Sequence, residues 1–393
     1  MTPAGTSIGS TAATAPSTTT TTPVPNTIGL PQQLLFCVAD RVIGGMPDHV
    51  CTFLVLSTTD TIFNDCHHSS FQRLLSDAVA AANTIYGVSL KDASVTSSLH
   101  VLRTAQNCFK HLWENSIRSF GTLEIMLRPG TTDQSLIDYI SFMEELSELR
   151  KTYKAADEKG YLFLGIAAIY ETGGTDPTTT FKGHFDRLME TKPDILLFRT
   201  TDIRALPTHG QKFYTEGPSV WAHSEIQANF HDALRLRASV TVPPGTRELL
   251  SVSVAAFKLS YYFIYNGYDG IGARDVNVGS RVGLSTVLCR GGDNYDAFHK
   301  EPEHQDKSRI QYMRRAYSVK SMVIHDTDWT LSIKICKSLK EHNFTGGFAV
   351  FDVELPQESK EMCDSNPHYK DLQTVKLIEL LMTKSWKTCD TFA

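Results

Sequence analysis

Eight short apolar runs, each followed by a stretch of different periodicity, constrain this chain more than any other feature of it. The runs are 33–39, 52–57, 84–90, 121–127, 161–169, 194–200, 248–257 and 346–353. Between them, 71–83, 97–117, 133–157, 179–191, 222–236 and 328–341 carry apolar residues at i, i+3 and i+4, and 369–385 follows the last run. Leu136, Ile140, Met143 and Leu146 show the spacing clearly. Strands separated by helices make repeated βαβ units, so the strands pair in parallel and the helices lie outside. The run Ile195–Phe198 is apolar without alternation, as a strand buried on both faces must be. The expected architecture is α/β: a closed (β/α)8 barrel of the TIM type over 31–393, with an open doubly wound sheet as the alternative. A chain of 393 residues is within the range of one such barrel. The stretch 258–325, rich in Gly, Tyr and Asp, is too long for a loop after the seventh strand. With a further strand expected at 317–324, it reads as a small insertion lobe.

Residues 1–30 are of another kind. Twelve of the first 26 are Thr or Ser, interspersed with Pro, a composition that cannot bury a core and is expected to be disordered. It is also the composition of O-glycosylated, mucin-like stalks. The stretch has neither the basic start nor the apolar centre of a signal peptide. No segment is apolar over the length a membrane span needs. A net charge of -5 with only short basic pairs, such as Arg314-Arg315, argues against nucleic acid as a partner.

Eight cysteines are scattered, none in a CxxC pair, so neither a zinc ribbon nor a thioredoxin-type site is expected. Cys66-His67-His68 is a poor metal site because adjacent ligands rarely close a tetrahedral shell. No metal and no cofactor are expected. The Gly267–Gly272 stretch lacks the order of a dinucleotide-binding loop. Asn343-Phe344-Thr345 is a sequon, which makes Asn343 a candidate glycosylation site.

Three segments resemble the chitinase family, glycoside hydrolase family eighteen. Leu35-Phe36-Cys37, followed by 51–57, is similar to the family's first two barrel strands. The segment 346–354 resembles its eighth strand, with Phe351 where the family usually has Trp. The segment 192–202 resembles strand six, with Thr201-Asp202 in place of a Tyr-Asp ending. As a whole the chain is most similar to degenerate, secreted chitinase-like and mucin-like proteins of ticks. The resemblance implies secretion to the extracellular space and a disulfide between Cys37 and Cys51. Cys336 and Cys363, which flank strand eight, are expected as a second pair.

It also implies where the catalytic acids should be. The family's D-x-x-D-x-D-x-E motif, placed on strand four, falls on Phe120, Leu123, Ile125 and Leu127. An alkyl side chain can neither donate a proton nor orient an acetamide nucleophile. Strand alternation is expected to turn Leu123, Ile125 and Leu127 together into the lumen, and Glu124 toward the helices. The expected function is therefore a catalytically inactive, chitinase-like secreted glycoprotein that binds a glycan or protein ligand. The candidate contacts are Asp202, Phe351, Asp352 and Glu354 at the barrel mouth, together with Trp221. Two alternatives are an active glycosidase using displaced acids at that mouth, and a structural mucin-like component in which the tail is the functional part.

Overall fold

In the computed structural model, most of residues 30–354 are described; the longest gaps are 41–47, 60–68, 202–218, 261–277 and 284–294. Beyond them it describes residues 375, 378, 379, 381, 382 and 389. The Thr-rich tail, the Cys66-His67-His68 cluster and Asp202 lie outside the described residues.

The barrel is closed. Its strands are β1 (Leu35–Ala39), β2 (Phe53–Thr59), β3 (Ile85–Lys91), β4 (Ile117–Leu127), β5 (Tyr161–Ala168), β6 (Ile195–Phe198) and β7 (Arg247–Ser253), closed by the last of the described strands. All eight pair in parallel. The seventh run of the sequence is in fact two strands. It breaks at Val254, and β8 (Ala255–Ser260) leaves the barrel to join β9 (Val278–Gly283), β10 (His304–Asp306), β11 (Gln311–Ala316) and β12 (Ser321–His325) in a separate antiparallel sheet. The chain then returns through a helix, Asp328–His342, to β13 (Gly347–Phe351), which pairs with both β7 and β1.

Both faces of the barrel wall are apolar, which is why the strands read as unbroken runs. Inside, Phe36, Phe53, Phe163, Leu197, Leu249 and Phe351 belong to one lumen cluster. Phe36 lies 5.7 Å from Phe53 and 5.3 Å from Phe163, ring to ring. The lumen is therefore a packed core and not a pore. Outside, Leu164, Ile166 and Val350 belong to the cluster that also holds Leu136, Ile140 and Met143 of the helix Asp133–Tyr153. The return helix begins with a capping box between Thr327 and Thr330 and ends on Asn343 at φ 49°. Asn tolerates this left-handed turn better than most residues. It also leaves Asn343, the sequon residue, exposed.

Cys37 and Cys51 are bonded, with Cα atoms 5.9 Å apart, tying the middle of β1 to the residues that lead into β2. The second expected pairing is corrected. Cys336 is bonded to Cys389, not to Cys363; the Cα atoms of the bonded pair are 5.4 Å apart, within disulfide reach. That bond ties the return helix to the C-terminal residues. Proximity in sequence to strand eight was the wrong guide, because the bond is set by which helix the chain end packs on. Cys37→Ser with Cys51→Ser is expected to lower stability by about 3 kcal/mol, from the freed loop in the unfolded chain. Urea denaturation of the double variant beside the parent measures it; a change below about 1 kcal/mol would contradict the expectation.

Candidate functional site

In parallel barrels, binding and catalytic groups gather where the strands end at their carboxyl side. Here that mouth is built from the ends of β4, β6, β7 and β13. β6 runs straight into Arg199, a cation at the end of an apolar strand whose side chain is only 3% exposed. Its Nη1 donates to the Leu123 carbonyl at 2.6 Å and lies 3.5 Å from Glu124 Oε1. Its guanidinium sits over the Phe351 ring, 4.6 Å from the centroid. A guanidinium on an aromatic face is favourable, more so out of water. The same stacking covers one face of the Phe351 ring, which is buried.

This arrangement corrects the expected register of strand four. Thr122 pairs with Leu164, but Ile125 pairs with Ile166, so β4 carries one residue more than β5 over this stretch. Such a bulge reverses the alternation beyond it. Leu123 is in the lumen cluster as expected, whereas Ile125 and Leu127 pack outward with the helices. Glu124, expected to face the helices, instead meets Arg199 over the lumen. Phe120 is also in the outer cluster.

The neighbouring part of the mouth is polar. Thr200 and Thr201 amides donate to Ser251 Oγ at 2.7 and 3.1 Å. The Ser253 hydroxyl donates to Asp352 Oδ2, and Arg281 Nη1 from β9 lies 3.3 Å from Asp352 Oδ1. Asp352 adopts φ 62°, which turns the chain sharply off β13. Glu354, two residues on, is 6% exposed. Burial, and then the Asp352 carboxylate, push its carboxyl up to about 7.

Among the residues expected at the site, the structure thus brings Phe351, Asp352 and Glu354 together at the mouth. Trp221 is elsewhere: it is 8% exposed, stacked on Phe230 at 5.6 Å and covered by Lys337 Nζ at 5.0 Å. It packs in the outer layer and does not line the mouth. Arg199 was missed by sequence reasoning, although a lone cation at the end of an apolar strand was a signal for a buried charge needing partners.

The sequence matches no protein-family model and no curated protein. Its fold does match solved structures. A Group IV chitinase from Ostrinia furnacalis aligns with a TM-score of 0.59 at 12% identity, over 90% of this chain and 100% of that one. A chitinase-like agglutinin from Robinia pseudoacacia aligns at 0.56 and 11% identity, over 88% and 99%. YKL-39, solved in the presence of chitooligosaccharides, aligns at 0.56 and 11% identity, over 89% and 100%. The chain shares the chitinase-like barrel fold.

Proposed function

We propose that this chain is a catalytically inactive, chitinase-like secreted glycoprotein that binds a glycan or protein ligand, of the degenerate kind its sequence resembles. The observation that carries the reading is Arg199. It lies at the mouth over the Phe351 ring of β13 and engages Glu124, the one acid on β4. A proton donor must be able to give up a proton to the bond being cleaved. Glu124 is instead engaged by the buried Arg199 guanidinium, 3.5 Å from its Oε1. The strand-four positions of the family motif, Phe120, Leu123, Ile125 and Leu127, are all aliphatic or aromatic.

Displaced acids are a weaker reading. Retaining glycosidases hold their two carboxyls about 5–5.5 Å apart, and inverting ones further, to leave room for the reacting bond. Asp352 and Glu354, with Asp40, offer oxygens all within 4.8 Å, and both Asp352 and Glu354 are buried. Asp352 is further engaged by Ser253 and Arg281. Disulfides and the exposed sequon Asn343 support an extracellular setting. A glycan ligand of the chitin type agrees with the neighbours crystallised with such sugars, and it would bind at the rim, outside Arg199.

Two measurements test this. Fluorogenic N-acetylglucosamine oligomers should show no turnover above the blank between about pH 4 and 8. Calorimetric titration with chitooligosaccharides should show binding without product. Turnover that disappears in Asp352→Asn would establish a displaced-acid enzyme and overturn the proposal.

A further inference from the structure

Three carboxyls meet at one edge of the mouth, where β1 and β13 lie side by side. Asp40 follows β1, Asp352 follows β13, and Glu354 is two residues further on. One oxygen from each lies within 4.8 Å of the others. Asp352 and Glu354 are buried and Asp40 is exposed, so the cluster opens to solvent on one side. Like charges this close disfavour one another strongly.

The compensation in place is partial. Asp352 has Arg281 and Ser253. Backbone amides of Asp40 and of Glu354 itself favour the Glu354 anion. Yet Glu354 Oε2 is fully buried and accepts no hydrogen bond. A buried polar atom without a partner is uncommon in a folded protein, and an absent ion is one of its ordinary explanations.

We infer that Asp40, Asp352 and Glu354 bind a divalent cation of the hard, oxygen-preferring class to which calcium belongs. The donor set is all oxygen, without imidazole or thiolate, which disfavours zinc and copper. The three oxygens, all within 4.8 Å of one another, can share one ion. Calcium accepts a flexible shell of about six to eight oxygens, whereas magnesium demands near-ideal octahedral geometry and gives up its water reluctantly, which three carboxyls fixed at two strand ends suit less well. Water can complete the shell from the exposed Asp40 side, and the buried Glu354 oxygen gains the partner it lacks. The inference is independent of the glycan reading, since neither outcome below depends on sugar binding.

The test uses the full chain, freed of metal with EDTA and titrated with calcium chloride in a calorimeter. One ion per chain should bind, with a dissociation constant on the order of 10⁻⁴–10⁻³ M, as in extracellular calcium modules. Saturating calcium should raise the melting temperature by several degrees, and equal magnesium should do less. Glu354→Gln and the exposed Asp40→Asn should each weaken binding at least tenfold, the second without disturbing the fold. No heat and no thermal shift at about 10 mM calcium would overturn the inference. So would undiminished binding by both variants, which would place the ion elsewhere.

Discussion

Gly121→Ala is expected to cost about 3–5 kcal/mol, a large fraction of the stability of a typical domain. A Cβ at Gly121 would overlap the Phe163 carbonyl oxygen and stand 2.7 Å from the Phe163 ring. Gly121 pairs with Phe163 between β4 and β5, so the obstacle is the backbone of the adjacent strand. A flexible side chain could move aside, but this carbonyl could not without opening the barrel wall. The Phe163 ring has no room to yield either, because it packs on Phe36 in the lumen. Gly183 is the control. A Cβ there meets nothing within 4 Å, and it lies in the helix Lys182–Glu190. Gly183→Ala should be neutral or stabilise by about 0.5–1 kcal/mol, through helix propensity. Thermal melts of both variants decide the matter. A Gly121 variant as stable as the parent would mean that β4 and β5 are not paired in this register.

Asp326→Ala should cost about 3–5 kcal/mol for an electrostatic reason. The Lys334 side chain is 0% exposed, and its ammonium donates to the Ser219 carbonyl at 2.7 Å and to Asp326 Oδ1. Burial pushes the Asp326 carboxyl up and the Lys334 ammonium down, and each partner's charge opposes that shift in the other. Removing Asp326 therefore strands a cation in the interior with one carbonyl for company. It also removes the acceptor of Thr330 Oγ1, at 2.9 Å, near the start of the return helix. Replacing both partners, Asp326→Leu with Lys334→Met, should recover most of the loss, because the desolvation of two charges disappears with them. Chemical denaturation of the single and double variants reads the coupling directly. A double variant as unstable as Asp326→Ala would show that the pair itself is not the source.

The barrel was legible because its strands are long enough, apolar enough and regularly spaced. The runs around Phe36, Leu54, Phe163 and Leu197 became strands within one or two residues of their expected ends. What failed failed for a physical reason. When both faces of a strand are apolar, alternation says nothing about which side a residue takes, so the bulge after Thr122 left no trace in the sequence. Ile125 and Glu124 were consequently assigned to the wrong faces. The break at Val254 was hidden in the same way, since Val252 and Phe257 continue one apolar run across two sheets. The partner of Cys336 depends on where the chain end comes to rest, which no local pattern encodes. Trp221, placed near a loop end, gave no sign that Phe230 and Lys337 would enclose it. The mouth residues Phe351, Asp352 and Glu354 were reached through the resemblance of strand eight, whereas Arg199 required its neighbours to be seen.

The seam between β1 and β13 has a consequence for how the chain is made. Synthesis runs from the amino end, so β1 and β2 emerge early, while the second neighbour of β1 is the last strand of the barrel. Through most of elongation β1 presents a bare row of amides and carbonyls, a template for pairing with another nascent chain. The Cys37–Cys51 bond joins two residues only 14 apart in sequence, so both are present early in elongation. It fastens β1 to β2 on the side that is already occupied and leaves the other edge waiting. Until Gly347–Phe351 arrives, that edge stays open to pairing with another chain. A polysome-bound intermediate truncated before β13 should be the most aggregation-prone species in its biogenesis.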